Sequence, residues 1–230
     1  MFFSFFAYLD KFKICYILLK IKGAAMTFVF DLDDTVCDTD GFSVKYIEQF
    51  SKEYKMNLNR IQAQTRFAEA KFDWKSEYSN WWYKVYGDEM MLQFPCKEGA
   101  VETINTLYDM GHRIIIATAR ATDWHTTPVA VTKLWLAKNK IKYTKLYTGR
   151  VDKEKICEIE NADFFVDDDL KITKAVAQHF QNSSHPCQAV LMTSDFNKDF
   201  TPADGVMRAT DFAVLRQIIG IENILEESEM

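Results

Sequence analysis

Two kinds of hydrophobic pattern alternate along the chain. Short apolar or β-favouring runs occur at Thr27 to Phe30, Arg113 to Ala117, Lys145 to Thr148, Phe164 to Val166 and Gln188 to Met192. Continuous apolar runs of this length read as strands buried on both faces of a sheet. Between them, apolar residues recur at helical spacing. Phe42, Tyr46, Phe50 and Tyr54 stand four apart, and Val101, Ile104, Leu107 and Tyr108 mark a second amphipathic helix that Gly111 stops. A further helix carries Val131, Leu134 and Trp135, a short one spans Asp152 to Glu160, and another follows Leu170. Strands separated by helices predict an α/β fold with a parallel sheet covered on both sides.

One interval breaks the alternation. Between the first strand and the helix at Lys97 lie roughly 60 residues of helical pattern without a strand, more than one crossover needs. The expected organisation is therefore a core from 26–38 and 96–222, an inserted helical unit over 39–95, and a tail at 223–230. Within the insertion Phe67, Phe72, Trp74, Tyr78, Trp81, Trp82, Tyr83 and Tyr86 crowd together. Most are expected to pack the insertion itself, leaving one or two to stack on a planar ligand.

Residues 1–25 form a separate segment. Its apolar runs, Phe2 to Tyr8 and Ile14 to Leu19, are interrupted by Asp10, Lys11 and Lys13. They fall short of the ~20 residues of a spanning helix, and the basic residues follow the apolar stretch where a signal peptide would have them precede it. Either Met26 is the effective start or the segment is a dispensable extension, with a membrane-surface anchor the competing reading.

Composition narrows the function. A net charge of −5 over 230 residues argues against a nucleic-acid-coating protein. Five cysteines without a C-x-x-C pair read as reduced thiols in a cytoplasmic setting rather than a disulfide framework or zinc site. The segment Lys133 to Lys155 holds eight Lys or Arg against two acids. Such a run usually solvates a helix end, but it keeps open a phosphatase acting on 3′-phosphorylated nucleic-acid ends.

The chemistry concentrates at strand ends. Phe28-Val29-Phe30-Asp31-Leu32-Asp33 closes the first strand in two carboxylates, and ligands of open α/β sheets sit beyond such ends. Acids this close repel, and a Mg²⁺ ion would relieve the repulsion. Ala117-Thr118-Ala119-Arg120 brings a hydroxyl and a guanidinium to the second strand end. Asp152-Lys153 opens a helix with an ammonium group, and Phe164-Phe165-Val166-Asp167-Asp168-Asp169 ends another strand in three acids. Lys155 is close enough to be the functional lysine instead. The acidic pair reads as Asp167-Asp168, because the strand ends directly at Asp167, with Asp168-Asp169 the other register. No Gly-rich phosphate loop is present.

An acid pair, a Thr, a Lys and a second acid pair, in that order, resemble the four motifs of the haloacid dehalogenase-like phosphatases over about residues 27–220. The insertion after the first motif, the T-A-R second motif and the D-K third motif look most like the 5′-nucleotidases acting on deoxyribonucleotides, cytosolic type C. The resemblance implies a Rossmann-like core with a helical cap, and a Mg²⁺-dependent nucleoside monophosphate phosphatase. It implies Asp31 as a nucleophile that forms an aspartyl-phosphate and Asp33 as general acid/base. Thr118, the Ala119 amide, Arg120 and Lys153 match phosphate-binding positions. Asp31, Asp168 and the Asp33 backbone carbonyl match metal ligands, with Asp167 supporting. The implied partner is a small phosphomonoester, with no stable nucleic-acid partner and no membrane span. Trp124 and His125 lie where they could touch substrate, though His125 is expected to be an exposed loop residue.

Overall fold

The computed structural model describes residues 25–56, 58–61, 68–74, 76–123 and 125–221. The expectations for 1–24, Phe67, Trp124 and the tail lie outside them. Six strands form one parallel sheet: β1 (Thr27–Phe30), β2 (Arg113–Thr118), β3 (Lys145–Thr148), β4 (Phe164–Asp167), β5 (Gln188–Met192) and β6 (Val206–Ala209), in the order β3-β2-β1-β4-β5-β6. The sheet is flanked by helices α1 (Asp40–Glu53), α2 (Ser76–Met91), α3 (Ala100–Asp109), α4 (Pro128–Lys138), α5 (Lys153–Glu160), α6 (Leu170–Phe180) and α7 (Phe212–Ile219).

Alternation along the strands sends successive side chains into two separate cores. On one face Phe28, Phe30, Ile114, Ile116 and Val166 pack with Ile104 and Leu107 of α3, Trp135 of α4 and Leu215 of α7. On the other, Val29, Ile115, Ala117 and Phe165 meet Ile156 and Cys157 of α5 and Val176 and Phe180 of α6. All four β1 residues are buried, which is why its sequence lacks a polar face.

The strand order fixes where a ligand can sit. From β1 the chain winds outward through β2 to β3, then returns to place β4 on the opposite side of β1. At that reversal the connections leave in opposite directions and a crevice opens beyond the carboxyl ends of β1 and β4. Thr27 to Phe30 and Phe164 to Asp167 are the two strands that end there.

The predicted strands and helices form, with β6 and α7 added. The edge strand β6 is only half-buried and reads Val-Met-Arg-Ala, so it lacks the apolar run that marks the central strands. Helix α7 does carry end signals: Asp211 accepts from the Val214 amide, and Gly220 ends the helix at a φ of 72°. Leu134 faces solvent, since α4 buries Val131, Thr132, Trp135 and Leu136. Tyr54 falls just outside α1, exposed but stacked on Phe50 at 4.3 Å.

In the segment between β1 and α3, α1 and α2 pack through aromatic side chains. Fully buried Trp82 lies 5.9 Å from Tyr46, 5.8 Å from Phe50, 5.7 Å from Trp74 and 5.2 Å from Tyr83, ring centre to ring centre. Among the described residues the aromatic crowd is thus chiefly a core, with Phe72, Trp82 and Tyr83 buried. Trp81 is half-exposed, and Tyr83 reaches the cavity described below.

Candidate active site

The loop after β1 folds tightly around its own backbone. The Leu32 carbonyl accepts from the amides of Thr35, Val36 and Cys37 at 3.2, 2.8 and 3.0 Å. This turn requires Asp34 at a φ of 56°, a left-handed conformation that Asp tolerates better than most residues. The Asp34 carboxylate accepts from the Thr39 and Asp40 amides, both at 3.0 Å, which ties the loop to the start of α1. Burial pushes Asp34 up to about 6. Lys97 donates to the Asp34 carbonyl and, at 3.1 Å, to that of Thr193, joining this loop to the end of β5.

Asp31 continues the ladder beyond β1, its amide donating to the Val166 carbonyl at 2.9 Å. The register brings Asp31 beside Asp167, and Lys153 lies between them, its Nζ 2.5 Å from Asp31 Oδ1 and 2.7 Å from Asp167 Oδ2. All three residues are buried. Lys153 can reach inward because Asp152 caps α5 by accepting from the Lys155 amide at 3.0 Å. Lys155 itself is exposed. Asp167 accepts from the Asp169 amide at 2.8 Å, and Asp169 caps α6 by accepting from the Lys171 and Ile172 amides. The triple aspartate therefore divides into a buried pair, Asp167 and Asp168, and a helix cap.

Carboxylate oxygens of Asp31, Asp167 and Asp168 lie within 4.8 Å of one another, all on buried residues. Three hard oxygen donors against one ammonium leave negative charge uncompensated, and this donor set fits Mg²⁺. Burial pushes Asp31 up to about 7, although Lys153 pulls in the opposite direction. Burial also works against charge on Lys153, but Asp167 and Asp31 outweigh it and raise its pKa, keeping the ammonium protonated.

Asp33 has a different set of partners. Arg120 donates from Nε to both carboxylate oxygens at 3.1 and 2.9 Å, and from Nη2 to Oδ1 at 2.7 Å. Thr39 and Thr118 add hydroxyl bonds of 2.8 and 3.2 Å. Burial would raise its pKa, but the guanidinium outweighs burial and holds Asp33 well below the usual carboxylate range. Thr118 and Arg120, read from the sequence as phosphate contacts, thus both engage Asp33. The Asp33 carboxylate stands outside the three-acid cluster.

These groups line a cavity of about 280 Å³. The strand ends supply Asp31, Asp33, Ala119, Arg120 and Asp167, the start of α5 supplies Lys153, and the helical segment supplies Thr39, Asp40, Ser43, Tyr83 and Met90. His125 also lines it and is buried, contrary to the exposed loop position expected from sequence. The reason is Asp88 of α2, which accepts from the Thr126 and Thr127 amides at 3.2 and 3.1 Å and lies 3.4 Å from His125 Nδ1. Burial lowers the His125 pKa. Sequence reading also missed Asn197, fully buried, which donates to the Asp168 and Met192 carbonyls at 2.8 Å. Nothing in its sequence surroundings marks it.

Among the described residues, four of the eight cations in the basic stretch Lys133 to Lys155 are ion-paired. Lys142 pairs with Asp109, Lys145 with Glu160 and Arg150 with Asp123, while Lys153 belongs to the cavity.

Comparison with known proteins identifies the family and the fold. The family model described as 5′ nucleotidase, deoxy (pyrimidine), cytosolic type C protein matches residues 25–224. The chain belongs to this family. A type C 5′-nucleotidase is a phosphoric monoester hydrolase, and the residues matched include every strand of the sheet. Similar solved structures share the haloacid dehalogenase-like fold. A haloacid dehalogenase-like hydrolase from Streptococcus pneumoniae superposes with a TM-score of 0.57 at 12% identity, covering 84% of this chain and 98% of its own. YfnB from Bacillus subtilis, a putative hydrolase of this kind bound to magnesium, gives 0.55 at 13% identity, covering 86% and 99%. A predicted phosphoglycolate phosphatase from Haemophilus somnus gives 0.54 at 16% identity, covering 84% and 97%. No curated protein matches the chain significantly. Among the described residues no helix is long and apolar enough to cross a membrane.

Proposed function

We propose that this nucleotidase-family chain hydrolyses nucleoside monophosphates, deoxyribonucleotides foremost, through an aspartyl-phosphate on Asp31. The observation that carries the reading is the buried set of Asp31, Lys153, Asp167 and Asp168 at the crevice between β1 and β4. It combines a nucleophile, a fixed positive charge and a metal-competent acid cluster.

In this mechanism the Asp31 carboxylate attacks phosphorus and the ester oxygen departs, taking a proton that Asp33, ionised in the free site, relays from the monoanionic substrate phosphate. Asp33 then accepts a proton from water, whose oxygen attacks the aspartyl-phosphate, releasing inorganic phosphate and restoring Asp31. Lys153 neutralises charge on the transferred group throughout, as preorganised electrostatics require. Ala119, next to the second strand end, offers its amide to a phosphate oxygen. Asp31, Asp168 and the Asp33 carbonyl would hold Mg²⁺, with Asp167 beside them orienting Lys153. Bound there, Mg²⁺ would supply Lewis-acid stabilisation of the phosphoryl oxygens. The helical segment over 39–95 acts as a cap, presenting Thr39, Asp40, Ser43, Tyr83 and Met90 to the nucleoside. A cytosolic setting, as in the family's description, suits the four described cysteines, all free thiols.

The test is phosphate release from a panel of ribo- and deoxyribonucleotides with Mg²⁺ and with EDTA. Metal-dependent release that favours 5′-deoxyribonucleotides is expected. Undiminished release in EDTA, or none from any nucleotide, overturns the reading.

A further inference from the structure

The second strand end delivers Arg120 into the same cavity as Lys153, yet its guanidinium is already committed. Three of its contacts go to Asp33, at 3.1, 2.9 and 2.7 Å, and a fourth runs from Nη2 to Cys37 Sγ at 3.4 Å. The remaining nitrogen, Nη1, is buried from solvent and has no hydrogen-bond partner among the described residues. The guanidinium carbon lies 5.9 Å from the Phe94 ring centre and 5.5 Å from that of Trp135. Trp135 is itself fixed, donating from Nε1 to the Phe94 carbonyl at 2.9 Å. Arg120 is thus 3% exposed and held between two aromatic walls. Reorienting it toward a phosphate would break the fork on Asp33 and leave a cation among apolar rings.

From this we infer that Arg120 is a positioning residue, holding the Asp33 carboxylate in the plane from which it serves the reaction, and is not a phosphate ligand. The inference rests on the proposed acid/base role of Asp33. A guanidinium suits the task because its planar fork fixes a carboxylate in orientation as well as position, which an ammonium cannot do. Without it, the Thr39 and Thr118 hydroxyls provide one hydrogen bond to each oxygen, and the carboxylate regains rotational freedom. Aligned proton transfer accounts for about 10²–10⁴ in rate, so loss of alignment removes part of that factor.

The experiment measures turnover of a deoxyribonucleoside monophosphate, and inhibition by inorganic phosphate, for Arg120→Met and Arg120→Lys, each alone and combined with Asp33→Asn. The expected result is a fall in kcat of about 10–100-fold for Arg120→Met, with the phosphate inhibition constant within about twofold of the parent. In the Asp33→Asn background the same substitution produces little further loss, the non-additivity of two residues acting as one unit. Arg120→Lys keeps the charge and loses the fork, so it shows the same split between kcat and phosphate affinity. It also serves as the readout if Arg120→Met does not fold. An inhibition constant that rises tenfold or more in both backgrounds, or losses that simply add, overturns the inference. Full turnover by Asp33→Asn alone would instead remove the acid/base assignment on which it rests.

Discussion

Lys153 and Lys155 stand two residues apart on one helix and meet different surroundings. Lys153 is buried between Asp31 and Asp167, whereas Lys155 is exposed. Replacing Lys153 by Met leaves two buried carboxylates facing each other without their cation. Turnover is expected to fall by at least about 10³-fold, by analogy with the loss of one transition-state charge partner. Lys155→Met should stay within about twofold in a phosphate-release assay, and a reversal of the two would exclude Lys153 as the charge partner. Much of this was legible in the sequence: the acid pair, the lysine and the aspartate run each stand at a predicted strand or helix end. Which lysine turns inward was not legible, because it depends on Asp152 occupying the cap position. Nor was the Arg120–Asp33 pairing, made between residues 87 apart in sequence, or the burial of His125, imposed by Asp88 on another helix.

At the scale of elements, the helices between β1 and α3 owe their packing to aromatic contacts. Trp82→Ala removes the ring at their centre, and a cost of about 3–5 kcal/mol in unfolding free energy is expected. Chemical denaturation with an unchanged slope would register it, and a cost below about 1 kcal/mol would show that the cluster is not the core of this segment. A second element contact makes a pH prediction. Glu160 at the end of α5 accepts from Lys145 and Arg113, each at 2.6 Å, and from Tyr147 at 2.5 Å. Burial would raise its pKa, but these bonds outweigh burial and lower it to about 2 from 4.5. A carboxylate lowered on folding stabilises the protein above its ordinary pKa, and that contribution disappears as pH falls through the folded value. Lys145 and Arg113 are half-exposed, so screening reduces the contribution to about 1–2 kcal/mol. Glu160→Gln should therefore lower stability by that amount at pH 7, with the difference from the parent shrinking between about pH 4.5 and 2. A difference that persisted unchanged to pH 2 would contradict the assignment. The core strands were readable because they are apolar on both faces. Strand β6 was not, since an edge strand needs only one buried flank and can carry Arg208, which donates to Thr193, Asn197 and Phe200.

For the molecule as a whole, the order β3-β2-β1-β4-β5-β6 explains why residues from four stretches of sequence meet. Asp31 and Arg120 follow β1 and β2, Lys153 opens the helix after β3 and Asp167 closes β4, and the central position of β1 brings all four to one crevice. Strand order could not be read from local pattern, because parallel pairing is decided by crossovers that leave no periodic trace. The net charge of −5 acquires a location at this scale: buried acids gather in the crevice, while Lys142, Lys145 and Arg150 of the basic stretch pair with acids outside it. In the proposed mechanism Asp31 itself becomes phosphorylated. The most direct measurement is acid-quenched turnover of a nucleotide carrying a radiolabelled phosphate, followed by borohydride reduction and peptide mapping. Transient label that hydroxylamine removes is expected, with reduction of residue 31 and none in Asp31→Asn. Rapid phosphate release with no label on Asp31 at any time during turnover, or release sustained by Asp31→Asn, would contradict it.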